Sequence, residues 1–121
     1  PESEMAVSVE VGVHYDSDLS RVEAVTLEVA RRVLETVAGG VRGFEPTLRF
    51  HAFDASSINF TVTLRVRGFA DQALIRHEFI KALHERYRDE GIVIPYPPEV
   101  NTVRRLAFVP ENTGGRGIGG R

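Results

Sequence analysis

The chain has 121 residues, 42% of them hydrophobic and 26% charged, with a formal net charge of −2. This length and composition fit one soluble globular domain with a single core. The absence of cysteine excludes disulfides and thiol catalysis. The small net charge gives no reason to expect binding to nucleic acid or to an anionic membrane surface. No apolar run of about 18 residues occurs, so we expect that the chain does not cross a membrane by itself.

A first strand is predicted over residues 6–15, where apolar and polar side chains alternate. Such alternation is typical of a strand with one buried face. The expected inward residues are Val7, Val9, Val11, Val13 and Tyr15, and the expected outward residues are Ser8, Glu10, Gly12 and His14. His14 and Asp16 lie two residues apart, so they could form a hydrogen bond that orders the following loop.

A first helix is predicted to begin near Leu19. Residues that commonly cap helices precede it, namely Asp16, Ser17 and Asp18, and Ser20-x-x-Glu23 also fits a capping box. The apolar stripe expected at helical spacing is Val22, Thr26, Val29, Val33 and Val37, widened by Leu27 and Leu34. The pair Gly39-Gly40 is predicted to end the helix.

A β-hairpin is predicted from two strands, residues 47–53 and 58–67, joined by a turn at residues 54–57. In the first of these strands, Leu48, Phe50 and Ala52 are expected to face inward. In the second, alternation places Asn59, Thr61, Thr63, Arg65 and Arg67 on the outer face.

A second helix is predicted over residues 71–90, and a fourth strand over residues 92–96. The order βαββαβ indicates an α+β fold, a ferredoxin-like sandwich with strand order 4-1-3-2 and two helices on one face. The domain is predicted to span residues 6–98, with residues 1–5 as a start segment or linker. The fourth strand would lie at a sheet edge, where the nitrogen of Pro95, which has no hydrogen to donate, could face away from the sheet.

The last part of the chain departs from this pattern. Residues 99–109 have the composition of a strand but no predicted partner within the domain. Residues 110–121 contain five glycines, a composition that is typical of disordered segments.

No catalytic, cofactor-binding or metal-binding set is predicted, and an enzyme is not expected. The outer face of the sheet lacks the aromatic side chains on which RNA bases stack. Asp16 and Asp18 would repel a phosphate at the start of the first helix. Along the second helix, His77 and His84 alternate with Lys81 and Arg88, which is more typical of a solvated basic face than of a metal site.

Three motifs carry a resemblance to a known family. They are YDSDLSRV at residues 15–22, DASSINFTV at residues 54–62 and EGIVIPYPPEV at residues 90–100. In order and spacing they resemble the cytoplasmic C-terminal α/β domain of the small-conductance mechanosensitive channel family (MscS). The similarity covers roughly residues 6–101.

The resemblance implies a non-enzymatic scaffold domain of an ion channel that opens under membrane tension. Seven copies would form a cytoplasmic cage that admits ions and small solutes, on the cytoplasmic side of the inner membrane. Membrane attachment would come only through upstream segments that this sequence lacks. A tail strand would join a barrel at the cage floor, with the residues Val100, Thr102, Val103, Leu106 and Phe108.

The residues singled out by the motifs are expected to be structural. They are Tyr15, Asp16, Ser17, Asp18, Ser56, Ser57, Asn59, Pro95, Tyr96 and Pro97. Asp16, Ser17 and Asp18 would set the start of the first helix. Ser56 and Ser57 would shape the hairpin, and Pro95, Tyr96 and Pro97 would direct the exit of the tail. Arg65 and Arg67 are candidates to face the vestibule and influence which ions enter it. The alternative is that they only keep an exposed sheet soluble.

A second interpretation uses the same framework for a different purpose. A ferredoxin-like domain can serve as a soluble regulatory module that binds a small molecule, and such a module needs a polar pocket at a domain interface. The residues themselves do not exclude this alternative.

Overall fold

The computed structural model describes residues 3–95. The elements are β1 (Met5–Val13), α1 (Leu19–Thr36), β2 (Thr47–Phe53), β3 (Ile58–Val66) and α2 (Gln72–Glu90), with a 3-10 turn at Phe69–Asp71 before α2. The predictions for residues 1–2, for Tyr96 and Pro97, and for the tail from residue 98 onward lie outside the described residues.

The strands form one antiparallel sheet in the order β1-β3-β2. Val9 pairs with Val62 between β1 and β3, and Leu48 pairs with Val62 between β2 and β3. This matches the 1-3-2 part of the predicted order. Residues 92–95 do not form the predicted fourth strand, since the described part of the sheet has three strands.

Both helices contribute to a core on one face of the sheet. The strands provide alternate residues to it, and the helices provide their apolar stripes, as period-two and period-3.6 patterns require. The most completely buried side chains are Tyr87, Phe60, Phe79, Leu34, Leu64, Ile75, Val7, Val13, Val22, Val62, Val66 and Thr26. The α+β prediction with a two-layer core is therefore confirmed.

Helix α1 ends earlier than predicted. Its last residue is Thr36, and the cap residue Val37 has extended backbone angles, with φ −101° and ψ 135°. Gly39 then adopts φ +95°, which glycine tolerates because it has no Cβ. Gly40 forms an isolated bridge with Val66. The glycine pair therefore turns the chain back to the sheet and does not cap the helix directly.

Strand β2 contains an irregularity that moves one predicted core residue to the surface. The pairing with β3 shifts between Phe50 and Ala52, as a β-bulge does. Leu48 is buried and Ala52 is exposed. Phe50 between them is half-buried, and the centroid of its ring lies 5.2 Å from that of Phe60. The prediction that Ala52 faces inward is wrong because the bulge changes the alternation after Phe50.

The inward face predicted for β1 is correct only as far as Val13. The strand ends there, and Tyr15 lies in the following turn with 44% of its surface exposed. Val11 is half-buried, because it lies beside a groove at the free edge of the sheet.

Candidate functional site

The three sequence motifs meet at one end of the domain, which we call the Pro95 end. The end of β1, the start of α1, the β2–β3 turn and the end of α2 all lie there, as the antiparallel order requires. The Tyr15 hydroxyl donates a hydrogen bond to the Asp54 carbonyl oxygen. The His14 N–H donates to the Val93 carbonyl oxygen at 2.9 Å. The first contact joins two motifs, and the second joins the residue just before the first motif to the third motif.

The loop between β1 and α1 is ordered by its own polar groups. Asp18 is the N-cap of α1, and its Oδ1 accepts a hydrogen bond from the Arg21 N–H at 3.3 Å. The Asp16 N–H donates to His14 Nδ1 at 3.1 Å, and the Ser17 N–H donates to the His14 carbonyl oxygen at 3.0 Å. Of the predicted N-cap candidates, Asp18 is the residue that caps α1. The predicted hydrogen bond between His14 and Asp16 in this loop is also present.

The β2–β3 turn is closed by a chain of hydrogen bonds. The Asp54 N–H donates to the Ser57 carbonyl oxygen at 2.7 Å. The Asp54 carboxylate accepts from the Ala55 N–H at 2.9 Å and from the Asn59 side-chain amide at 3.2 Å. The Ser57 hydroxyl in turn donates to Asn59 Oδ1 at 2.8 Å. Ser56 is half-buried within the same turn.

Gly12 is a site residue that sequence reasoning missed. It pairs with Asn59 across β1 and β3. A Cβ at Gly12 would lie 2.6 Å from Asn59 Oδ1 and 3.1 Å from Ser57 Oγ. The glycine therefore lets the turn network lie directly against β1. A glycine within a strand pattern is a known sign of such a close approach.

Charged side chains fasten α1 to the end of α2. Arg21 Nη2 contacts Glu90 Oε1 at 2.8 Å, and Arg86 Nε contacts Glu90 Oε2 at 2.8 Å. Arg86 Nη2 also forms an ion pair with Glu28 Oε1 at 2.8 Å. Hydrogen bonds from Arg86 and then Arg21 lower the pKa of the Glu90 carboxyl. Periodicity along the sequence does not indicate this network, because its members come from two helices.

The chain leaves α2 through a glycine cap. Gly91 has φ +75°, and the Ile92 N–H donates to the Tyr87 carbonyl oxygen at 2.9 Å. Ile92 is buried, whereas Val93 and Ile94 are 55% and 49% exposed. The turn at Gly91 directs the chain across the end of β1.

Pro95 is half-buried. It lies two residues after Val93, whose carbonyl oxygen accepts the hydrogen bond from the His14 N–H at the end of β1. That its nitrogen, which carries no hydrogen, faces away from the sheet stays a prediction.

Arg65 and Arg67 lie at the opposite end, which we call the Met5 end. Arg65 is half-buried, and its Nε forms an ion pair with Glu4 Oε1 at 2.8 Å. Its Cζ lies 6.0 Å from the centroid of the Phe44 ring. Arg67 is exposed, and its backbone N–H donates to the Gly39 carbonyl oxygen at 2.8 Å. Within residues 3–95, the Arg67 side chain has no ion pair.

Two features of metal and membrane proteins are absent from residues 3–95. Among residues 3–95, no three His, Cys, Asp or Glu side chains come together as a metal site would need. Over the same residues, no helix combines the length and apolar composition that crossing a bilayer requires. His77, Lys81, His84 and Arg88 are exposed, as the sequence predicted.

Comparisons with known proteins agree with this fold. A family model described as the C-terminal region of the mechanosensitive ion channel MscS matches residues 7–94. The crystal structure of Helicobacter pylori MscS in the closed state matches with a TM-score of 0.58 and 21% identity, over 78% of this chain and 36% of that chain. A cryo-EM structure of Arabidopsis thaliana MSL1 matches with a TM-score of 0.59 and 12% identity, over 80% and 35% respectively. No curated protein sequence matches.

The sheet with two helices on one face is thus a fold that this chain shares with solved channel proteins. The chain belongs to the mechanosensitive ion channel family, as a C-terminal MscS domain. That family is one of channels and is not a known enzyme family. The chain spans about a third of the length of the Helicobacter pylori and Arabidopsis thaliana channel chains.

Proposed function

We propose that this domain is a wall element of the cytoplasmic cage of a mechanosensitive channel. In this proposal several copies, seven in the intact channel, surround the ion path without performing catalysis. Ions and small solutes pass between the copies, and the domain lies on the cytoplasmic side of the inner membrane. Family membership supports the channel context.

The observation that carries the proposal is the match of residues 7–94 to the C-terminal domain of the mechanosensitive channel MscS. The described residues form one unit, a three-stranded sheet whose core is shared by both helices. Such a unit is suited to be repeated side by side in a wall built from several copies.

The Pro95 end would direct the tail toward the assembly. The contacts of Tyr15, Asp18 and Asn59 hold the loop, the helix start and the turn together at this end. In the proposal, Pro95, Tyr96 and Pro97 lead from this end into a strand at residues 99–109. The strands of neighbouring copies pair with one another in a closed barrel, which leaves no free edge.

The Met5 end would face the part of the channel nearer the membrane. Arg65 is largely engaged by Glu4 and Phe44, whereas Arg67 is exposed. Of the two vestibule candidates, Arg67 is thus better placed to attract anions. In a channel assembled with this domain, Arg67→Glu is expected to lower the permeability of anions relative to cations.

Deletion of residues 99–121 tests the assembly role. The mass of the full chain and of the shortened chain would be measured by light scattering over a range of concentrations. We expect the full chain to self-associate and the shortened chain to remain a folded monomer, with an unchanged circular dichroism spectrum. An oligomer of the same size in both chains would contradict the role of the tail. A full chain that remains monomeric at all concentrations would contradict it as well.

A further inference from the structure

A pocket opens beside the end of α1, at the Met5 end of the domain. Its volume is about 380 Å³, and it is lined by residues 36–40, Arg42 and Arg67. A volume of this size is sufficient for a small-molecule ligand. The charged groups that line it are both guanidinium groups, so the pocket selects for anions.

Backbone pairing brings these two arginines to the same pocket, although they are distant in the chain. The Val41 N–H donates to the Arg65 carbonyl oxygen at 3.0 Å, and the Arg67 N–H donates to the Gly39 carbonyl oxygen at 2.8 Å. Arg42 directly follows Val41. The backbone positions of both arginines are therefore set by the hydrogen bonds that hold the loop after α1 against the end of β3.

Both guanidinium groups are exposed, and neither forms an ion pair with any residue in the described range 3–95. Other arginines in this region do have such partners, since Arg31 pairs with Glu45 and Arg65 pairs with Glu4. Two like charges at one pocket repel each other, and a bound anion removes that repulsion.

Two glycines keep one wall of the pocket free of side chains. A Cβ at Gly39, where φ is +95°, would lie 2.5 Å from Asp71 Cγ, and a Cβ at Gly40 would lie 2.8 Å from the Leu34 carbonyl oxygen. Asp71 contacts Gly39 but is not among the residues that line the pocket. Over residues 3–95, the N–H groups of Ala38 and Gly39 donate no backbone hydrogen bond, so both remain able to donate to a bound acceptor.

Stabilisation of the end of α1 is the competing role for these arginines. The C-terminal end of a helix carries a partial negative charge that attracts cations. Here the Arg32 carbonyl oxygen, in the last turn, accepts from the Thr36 hydroxyl at 2.8 Å. Within the part of the chain that the structure describes, the side chains of Arg42 and Arg67 donate to no carbonyl oxygen of that turn. Their N–H groups are therefore free to bind a ligand.

We propose that Arg42 and Arg67 bind the phosphate group of a small phosphate monoester in this pocket. A monoester carries a charge of about −1.5 to −2 at neutral pH, which matches two guanidinium groups. The planar fork of a guanidinium group also matches the spacing of phosphate oxygens. The volume of the pocket leaves room for the organic part of such a solute.

A titration of the full chain with methyl phosphate tests the site. Backbone amide resonances are followed by NMR at about pH 7.5, where most of the monoester is dianionic, and sodium chloride holds the ionic strength constant. We expect saturable shifts at Ala38, Gly39 and Gly40, with a dissociation constant of about 1 mM because the charges are exposed. Dimethyl phosphate carries one charge, so it should bind at least about tenfold more weakly.

Three variants separate recognition of the phosphate from general attraction by charge. Arg42→Gln and Arg67→Gln should each weaken binding at least about fivefold. Arg67→Lys keeps the charge but loses the fork, so it should also weaken binding, by about threefold or more. Arg88→Gln is the matched control, because Arg88 is exposed and lies outside the pocket, and it should leave binding unchanged. Circular dichroism checks that each variant is folded.

Three results would overturn the proposal. One is the absence of a saturable shift with methyl phosphate. Another is binding by Arg67→Lys, or of dimethyl phosphate, that equals binding of methyl phosphate by the original chain, because charge alone would then explain it. The third is a lower melting temperature of Arg42→Gln and Arg67→Gln with unchanged binding, which would assign the arginines to the helix end. Binding is measured without assembly of a channel, so its outcome is separate from that of the tail deletion.

Discussion

The Tyr15 hydroxyl and the Asp54 carbonyl oxygen join the loop after β1 to the turn between β2 and β3 across 39 residues of sequence. The two residues open separate sequence motifs, and the hydrogen bond is the direct contact between them. Tyr15 is 44% exposed, so burial holds its ring only in part. The hydroxyl therefore contributes to fixing the relative position of the two segments.

Tyr15→Phe should loosen the Pro95 end without unfolding the domain. The loss of one partly exposed hydrogen bond is expected to cost about 0.5–1 kcal/mol of unfolding free energy. The amides of residues 54–57 should exchange faster, whereas those of β3 should not. Urea unfolding and hydrogen exchange measure the two effects. A variant with unchanged exchange in the turn would show that Tyr15 does not hold it.

Tyr87→Phe should be more costly, because its partner is buried. The hydroxyl groups of Tyr87 and Thr26 share a hydrogen bond inside the core, and Thr26 is fully buried. Removal of one member leaves the other unsatisfied, at an expected cost of about 1–3 kcal/mol. Thr26→Val in the Tyr87→Phe background should recover part of that loss. Equal stability of both single variants and the original chain would contradict this assignment.

Burial also makes stability depend on alkaline pH. It raises the pKa of Tyr87 from 10.0 to about 12. The unfolded chain therefore loses the proton first as the pH rises. The contribution of Tyr87 is fully present below pH 10 and declines between pH 10 and 12. The decline should reach up to about 3 kcal/mol, and it should be absent in Tyr87→Phe when both chains are unfolded with urea across this range.

Gly12→Ala should disturb the turn network from the β1 side. The added Cβ would clash with Asn59 Oδ1 at 2.6 Å, and overpacking of this kind costs about 1–3 kcal/mol. Because the clash is with a side chain, Asn59→Ala should relieve most of it in the double variant. Ser8→Ala, at an exposed residue of the same strand, is the control and should have little effect. Thermal unfolding compares the four chains.

Glu90→Gln should reduce the dependence of stability on acidic pH. The pKa of Glu90 is lowered from 4.5 by Arg86 and then Arg21. The stabilisation is therefore present above pH 4.5 and is lost as the pH falls through the folded-state value. The melting temperature of Glu90→Gln should be lower than that of the original chain at neutral pH, and the difference should shrink as the pH falls below 4.5. Glu85→Gln, on the exposed face of the same helix, should show no such convergence.

The sequence predicted those elements whose burial follows a regular period. In β3, all five inward residues are buried, from Ile58 to Val66, because one face of a strand must be apolar throughout. The start of α1 was predictable because Asp18 is a strong local cap. Local patterns of this kind need no knowledge of distant partners.

Other features depend on partners that periodicity cannot identify. The bulge before Ala52 is set by pairing with β3, and it reverses the face of the residue. The contact between Arg21 and Glu90 joins residues 69 positions apart. The hydrogen bond between His14 and Val93 joins the end of β1 to the segment that follows α2. Each of these required the tertiary structure.

The close approach of Gly12 and Asn59 also limits where the domain can carry a label. A cysteine introduced at Gly12 for attachment of a probe would place its Cβ 2.6 Å from Asn59 Oδ1, so it would disturb the turn that it is meant to report on. Ser8 is an exposed residue of the same strand, and a probe attached there would leave the turn between β2 and β3 as it is.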